Sequence, residues 1–153
     1  MTAGVIERFL ADDAATVRLG EDLAMAVKPG DVLALRGDLG AGKSTLARAL
    51  IRALADDSGL EVPSPTFTLV QSYDTPLAVH HFDLYRLADA SELDELGFDE
   101  ALASGAALVE WPERAAGRLP ASALTVDLLP HGEGRLASIA GFVLLMSEGG
   151  TTR

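Results

Sequence analysis

Residues Gly37-Asp38-Leu39-Gly40-Ala41-Gly42-Lys43-Ser44 read G-x-x-x-x-G-K-S. Glycines at these positions let the backbone curl so that successive N–H groups point inward around phosphate oxygens. The helix expected to follow adds its own unpaired N–H groups and the positive end of its dipole. Lys43 supplies a compact charge for the outer phosphates, and the Ser44 hydroxyl is a Mg²⁺ ligand by chemistry. The flanks suit this reading. Val32-Leu33-Ala34-Leu35 is a short apolar run of the buried-strand type. Ser44 to Asp57 places Leu46, Ala49, Leu50, Ala53 and Leu54 on one helical face. Of twelve basic residues only two are lysine, Lys28 and Lys43. The chain otherwise uses arginine, yet has lysine where a point charge suits phosphate.

Outward from that stretch, Val5 to Leu10 reads as a strand, and Asp12 or Asp13 caps a helix from about Ala14 to Val27. Lys28 to Asp31 is a turn. Phe67–Tyr73 and Leu77–Phe82 form a hairpin around Asp74-Thr75-Pro76. Short helices are expected at Leu93–Leu96, Phe98–Ala103 and Glu113–Leu119, and a buried strand at Ala106–Val109. Leu124–Leu129 and Arg135–Ile139 flank Pro130 to Gly134 as a second hairpin. Two hairpins among αβ units imply an α/β, P-loop NTPase-like three-layer fold. Its sheet would be mixed parallel and antiparallel, with helices on both faces. One domain over residues 1–148 is expected, with a frayed tail at 149–153.

Composition removes several function classes. With no cysteine there is no disulfide, thiolate metal site or thiol nucleophile. A formal net charge of −11, without a Lys/Arg run, argues against direct nucleic-acid binding. The apolar stretch Ala137–Met146 is too short to span a bilayer, and residues 1–20 lack a signal-type apolar core, so a cytoplasmic protein is expected. No asparagine occurs, which excludes the Asn-Lys-x-Asp element of guanine-specific P-loop proteins.

A phosphate cradle needs an acid at a strand end to complete Mg²⁺ coordination. Glu110 follows Ala106–Val109 and precedes the stiff Trp111-Pro112 corner; the bland alternative is a solvated strand-end charge. Asp83 follows Leu77–Phe82. It suits Mg²⁺ held through water or a base for the attacking water, and equally a helix cap. Thr66, in Ser64-Pro65-Thr66-Phe67, sits in a pre-ordered loop that suits a γ-phosphate sensor or a simple loop. His80 and His81 face opposite sides of a strand, so one is buried or near the nucleotide and the other exposed. Tyr85 and Trp111 fit core, partner or base-stacking roles. Arg86 fits a charge stabiliser or an ion pair.

Gly37–Thr45, Ser64–Val70, His81-Phe82-Asp83-Leu84-Tyr85-Arg86 and Glu110-Trp111-Pro112-Glu113 together resemble the bacterial TsaE (YjeE) family, a small ATPase of tRNA threonylcarbamoyladenosine biosynthesis. The resemblance runs from the Asp12 region to Arg135. It implies ATP and Mg²⁺ as cofactors. Gly37, Gly40, Ala41, Gly42, Lys43, Ser44 and Thr45 would hold the nucleotide, with Asp12, Gly134 and Arg135 approaching it. Ser44 and Glu110 would ligate Mg²⁺, Asp83 would sit close to the metal and the reacting phosphate, and Thr66 would lie in a switch-like loop. It further implies partners of the TsaD and TsaB type, with slow, partner-dependent hydrolysis and no direct contact with tRNA. Alternatives from other classes are a small-molecule kinase with Asp83 as base, which would want an Arg-rich lid, and a nucleotide-dependent interaction module with little hydrolysis.

Overall fold

The computed structural model describes residues 5–38, 42–63, 65, 68–115 and 117–141. Thr66, Gly40, Ala41 and the tail expected at 149–153 lie outside the described residues. The elements run β1 (Val5–Leu10), α1 (Asp13–Ala24), β2 (Val32–Arg36), α2 (Lys43–Ala55), β3 (Val70–Tyr73), β4 (Val79–Asp83), α3 (Glu92–Glu95), α4 (Phe98–Ser104), β5 (Ala106–Glu110), β6 (Leu124–His131) and β7 (Gly134–Ala140). A 3₁₀ turn at Pro112–Ala115 replaces the helix expected at Glu113–Leu119. Pro112 lacks a donor for a continuing ladder, and Gly117 with φ of 84° turns the chain away.

The strands form one seven-stranded sheet in the order β1-β7-β6-β2-β5-β4-β3. The centre is parallel, β6 with β2, β2 with β5 and β5 with β4. Antiparallel strands close both sides: β3 on β4, and β7 with β1 beyond β6. This is the mixed sheet that the two hairpins imply. The second hairpin is tighter than its sequence suggests. His131 pairs with Gly134, leaving a two-residue turn in which Gly132 takes φ of 60°. Pro130 lies within β6, in the part of the strand beyond its pairing with β2, so its missing N–H costs the sheet no bond on that side.

Alternation along the strands divides the core. Leu33, Leu35, Leu108, Leu124, Val126 and Leu128 face Leu19 and Leu23 of α1 and Leu46, Leu50 and Ile51 of α2. Val32, Phe82, Ala107 and Val109 face Leu93 of α3 and Phe98 and Ala101 of α4 on the opposite side. Helices therefore lie on both faces. Each fully buried Leu or Ile contributes about 1.5–3 kcal/mol of transfer free energy, so α2 is anchored by packing more than by propensity. That anchoring holds the start of α2 against the carboxyl end of the parallel strands.

Candidate functional site

Three parallel strands, β2, β4 and β5, end side by side. The chain leaves β2 at Arg36 into Gly37, while β4 and β5 end in Asp83 and Glu110. Asp83 stands in register with Glu110, and Glu110 with Leu35. Both acids are the last residues of their strands rather than the first residues after them. Both are buried, at 6% and 3% exposure. Burial of a carboxylate costs several kcal/mol unless it is hydrogen-bonded or paired, so this placement points to partners.

Some of those partners are visible. Oδ1 of Asp83 accepts the Tyr85 backbone N–H at 3.1 Å, and Oε2 of Glu110 lies 2.7 Å from Nε2 of His81. His81 is itself buried. Lys43, the first residue of α2, is 5% exposed and reaches back over the loop. Its Nζ donates to the carbonyl oxygens of Gly37 and, at 3.0 Å, Asp38. It also sits 4.2 Å from the centroid of the Trp111 ring. Burial pulls the Lys43 pKa below its ordinary range, opposed by the nearby charges of Glu110, Glu113, Asp83 and Asp38. Lys43 thus stands in the field of four acids. Its bonds to the Gly37 and Asp38 carbonyls are of a kind that phosphate oxygens could replace.

Trp111 links the parts. It follows Glu110 with φ of 59°, a left-handed conformation that costs a non-glycine residue about 1–3 kcal/mol. Its ring lies 4.8 Å from that of Tyr85, itself two residues beyond Asp83. Leu69 has φ of 70°, and its carbonyl accepts the Asp83 N–H at 2.9 Å. Two strained non-glycine residues therefore flank the two acids. Neither strain nor the Tyr85–Trp111 contact was legible in the sequence, since backbone sign at Leu and Trp has no composition signal.

Gly42 caps α2 with φ of 103°. A Cβ there would lie 2.9 Å from Cζ and Nε of Arg135. Arg135, near the start of β7, donates to Asp13 Oδ1 at 3.0 Å and to Thr16 Oγ1 at 3.3 Å. Asp12 caps α1, accepting the Ala15 N–H at 2.9 Å. The β7 start, the α1 start and the α2 start thus converge through Arg135. Gly134 serves packing: a Cβ would run into the Leu10 carbonyl. Ser44 is exposed in the first turn of α2. Thr45 instead lines a cleft of about 340 Å³ along α2 and α1, with Val17, Arg48 and Arg52, which none of Lys43, Asp83 or Glu110 enters. Arg86 is exposed.

The two histidines lie on opposite faces as expected, with His81 buried but His80 half-buried rather than exposed. His80 points to the opposite face, 2.8 Å from Ser72 Oγ and 3.1 Å from Ser104 Oγ, and burial lowers its pKa. His131 is exposed and contacts the Phe9 ring edge-on.

A divalent metal is the group these acids imply. Among the described residues no three of His, Asp and Glu converge to hold a metal by themselves. Mg²⁺ does not require that, since it commonly keeps waters and binds through one or two carboxylates plus phosphate. Asp83, Glu110 and the Ser44 hydroxyl are hard oxygen donors of the right kind.

Comparison with known proteins meets this geometry. The sequence model of the family described as threonylcarbamoyl adenosine biosynthesis protein TsaE matches residues 10–136. The chain belongs to the TsaE family. A TsaE from Rickettsia felis is 42% identical over 106 residues, covering 69% of this chain and 61% of its own length. The chain thus spans about three-fifths of that relative. A TsaE from Rickettsia bellii is 36% identical over 80% of this chain and 85% of its own. Both carry the name tRNA threonylcarbamoyladenosine biosynthesis protein TsaE. Among solved structures, Bacillus subtilis YdiB superimposes with a TM-score of 0.79 and 28% identity, covering 97% of this chain and 95% of that one. The TsaE match spans every element from the end of β1 to the start of β7, and so includes Lys43, Asp83, Glu110 and Arg135. Among the described residues no helix is long and apolar enough to cross a membrane.

Proposed function

We propose that this TsaE-family chain binds ATP with Mg²⁺ and hydrolyses it in support of threonylcarbamoyl modification of adenosine in tRNA. Its action would be on a transferase complex of the TsaD and TsaB type. The observation that carries the reading is the convergence of Lys43 with the buried, register-paired acids Asp83 and Glu110. The relatives' names supply the pathway.

In this reading Gly37 to Thr45 hold the phosphates, and Lys43 exchanges its bonds to Gly37 and Asp38 for bonds to the outer phosphate oxygens. Ser44 and Glu110 are the metal ligands, with Asp83 beside them. When bound, Mg²⁺ supplies neutralisation of the charge on the β- and γ-phosphates. Asp83 orients a water and accepts its proton as the new P–O bond forms and the bond to the β-phosphate oxygen breaks. Arg135 bonds the α1 start and lies close to Gly42 at the α2 start. The acidic net charge suits a protein that leaves the tRNA to its partners.

The test is hydrolysis of ATP by the purified chain, alone and with TsaD and TsaB, alongside modification of tRNA. Hydrolysis stimulated by the complex and lost in Asp83→Asn is expected. Phosphate transfer to a small acceptor instead of water would replace this reading with a kinase.

A further inference from the structure

His81 is buried, at 2% exposure. It precedes Asp83 by two on β4 and so shares its face. Its register partner is Leu108, and Glu110 lies two residues beyond Leu108 on β5. The imidazole therefore meets Glu110 on the diagonal of a parallel pair, from the core side of the sheet. An imidazole carrying its N–H at Nε2 donates to Glu110 Oε2 at 2.7 Å. Its other nitrogen, Nδ1, is buried and has no partner among the described residues. The ring thus makes one side-chain bond, and that bond fixes Glu110.

Stability alone does not account for this. Among the described residues Nδ1 is unpaired, and a buried unpaired polar atom costs about 1–3 kcal/mol. An apolar side chain with an apolar partner would serve the core better. What the pair does achieve is to fix the rotamer of a buried strand-end carboxylate. Second-layer bonds of this kind orient metal-ligating groups, and their loss typically weakens metal binding by about 10–100-fold.

We propose that His81 is a positioning residue: by occupying Oε2 of Glu110 it turns Oε1 toward the phosphate loop as the ligand for a hydrated divalent cation, Mg²⁺ or Mn²⁺. This rests on the nucleotide-binding reading above. His81 touches neither metal nor substrate. Its effect is confined to the metal-dependent part of binding.

The test is ATP affinity measured by calorimetry with EDTA and across a Mg²⁺ titration, for wild type, His81→Leu, His81→Gln and His81→Asn. The side-chain amide nitrogen of Gln reaches the position of Nε2, while that of Asn stops near Nδ1. Wild type should bind ATP more tightly as Mg²⁺ is added. His81→Leu and His81→Asn should keep the metal-free affinity within about twofold, and need roughly tenfold more Mg²⁺ for half of the tightening. His81→Gln should stay within about threefold of wild type. Adding His81→Leu to Glu110→Gln should change the Mg²⁺ response no further. A wild-type Mg²⁺ response in His81→Leu overturns the positioning role and leaves the ATP reading standing; so does an equal loss of affinity with and without metal. If His81→Leu does not fold, equal behaviour of the Gln and Asn variants overturns it. No Mg²⁺ response in the wild type defeats both readings.

Discussion

Asp83 and Glu110 stand opposite one another as the last residues of adjacent parallel strands, both buried, with the single loop lysine in their field. Two acids so placed need not do the same work. Glu110 is tied by His81, whereas Asp83 is tied by the backbone of the turn it opens. Glu110→Gln should therefore abolish the Mg²⁺ dependence of ATP binding while leaving metal-free affinity near wild type. Asp83→Asn should keep Mg²⁺-dependent binding and lower the rate of hydrolysis by about 10²–10⁴-fold, the usual worth of a general base. Calorimetry and single-turnover kinetics separate the two. If Asp83→Asn loses the Mg²⁺ response and Glu110→Gln keeps it, the assignments are reversed.

Glu110→Ala tests the structural side of the same pair. It strands the His81 N–H in the core, at a cost of about 1–3 kcal/mol. Glu110→Gln keeps an acceptor within reach of that N–H. Thermal melts of the nucleotide-free protein should place the Ala variant below the Gln variant. Equal melting temperatures would mean that the His81 bond contributes nothing to the fold.

Much of this site was legible in the sequence, for identifiable reasons. Gly37–Ser44 has the residue types expected of a phosphate loop, and β5 is an apolar run ended by an acid. The two hairpins, and with them the mixed sheet, followed from turn residues between alternating runs. The strand ends were less legible. Leu77 and Ala78 are apolar but lie outside β4, and Asp83 belongs to the strand because the neighbouring β5 continues to Glu110. Pro130 has the sequence character of a loop residue, since sequence gives no sign that β6 runs beyond its pairing with β2. The His81–Glu110 bond joins residues 29 apart and depends on the order β5-β4 in the sheet. The same holds for Arg135 on Gly42, which needs β7 to pass the starts of α1 and α2.

That contact yields a stability prediction. Gly42→Ala forces a residue with a Cβ into φ of 103° and into Arg135. At about 1–3 kcal/mol for the backbone strain, the melting temperature should fall by roughly 2–12 °C, and ATP binding should be lost with the loop geometry. Arg135→Ala removes the steric part but not the strain. The double variant Gly42→Ala/Arg135→Ala should therefore melt below Arg135→Ala by the backbone strain alone. A double variant that melts with Arg135→Ala alone would show that φ at position 42 is unstrained.

Trp111 is the only tryptophan in the chain, and Lys43 Nζ lies over its ring. A nucleotide that draws Lys43 toward phosphate removes a cation from the indole face, so Trp111 emission should change on binding ATP. Lys43→Met should show the altered emission without nucleotide and no further change with it. Its ATP affinity should fall by about 10–100-fold, the loss of one charge-assisted set of bonds. An unaltered Trp111 spectrum in Lys43→Met would mean that the ring does not sense the lysine.

The same lysine sets an alkaline limit. Burial holds its pKa below the ordinary lysine range despite the acids around it. In the folded chain it therefore loses its proton at lower pH than in the unfolded chain. Below that lowered value the fold bears a buried charge. As pH rises from the lowered value to the ordinary range, the unfolded state binds more protons and this penalty is relieved. Wild type should gain stability relative to Lys43→Met across that alkaline window. ATP binding should run the other way, because only the charged lysine holds phosphate, and bound phosphate restores the proton. Affinity should thus decline as pH rises through the lowered value. Calorimetry in buffers of different ionisation enthalpy should show proton uptake on binding in the alkaline window and none at neutral pH. Constant affinity through that window, with no proton uptake, would show that Lys43 is not the group that meets the phosphates.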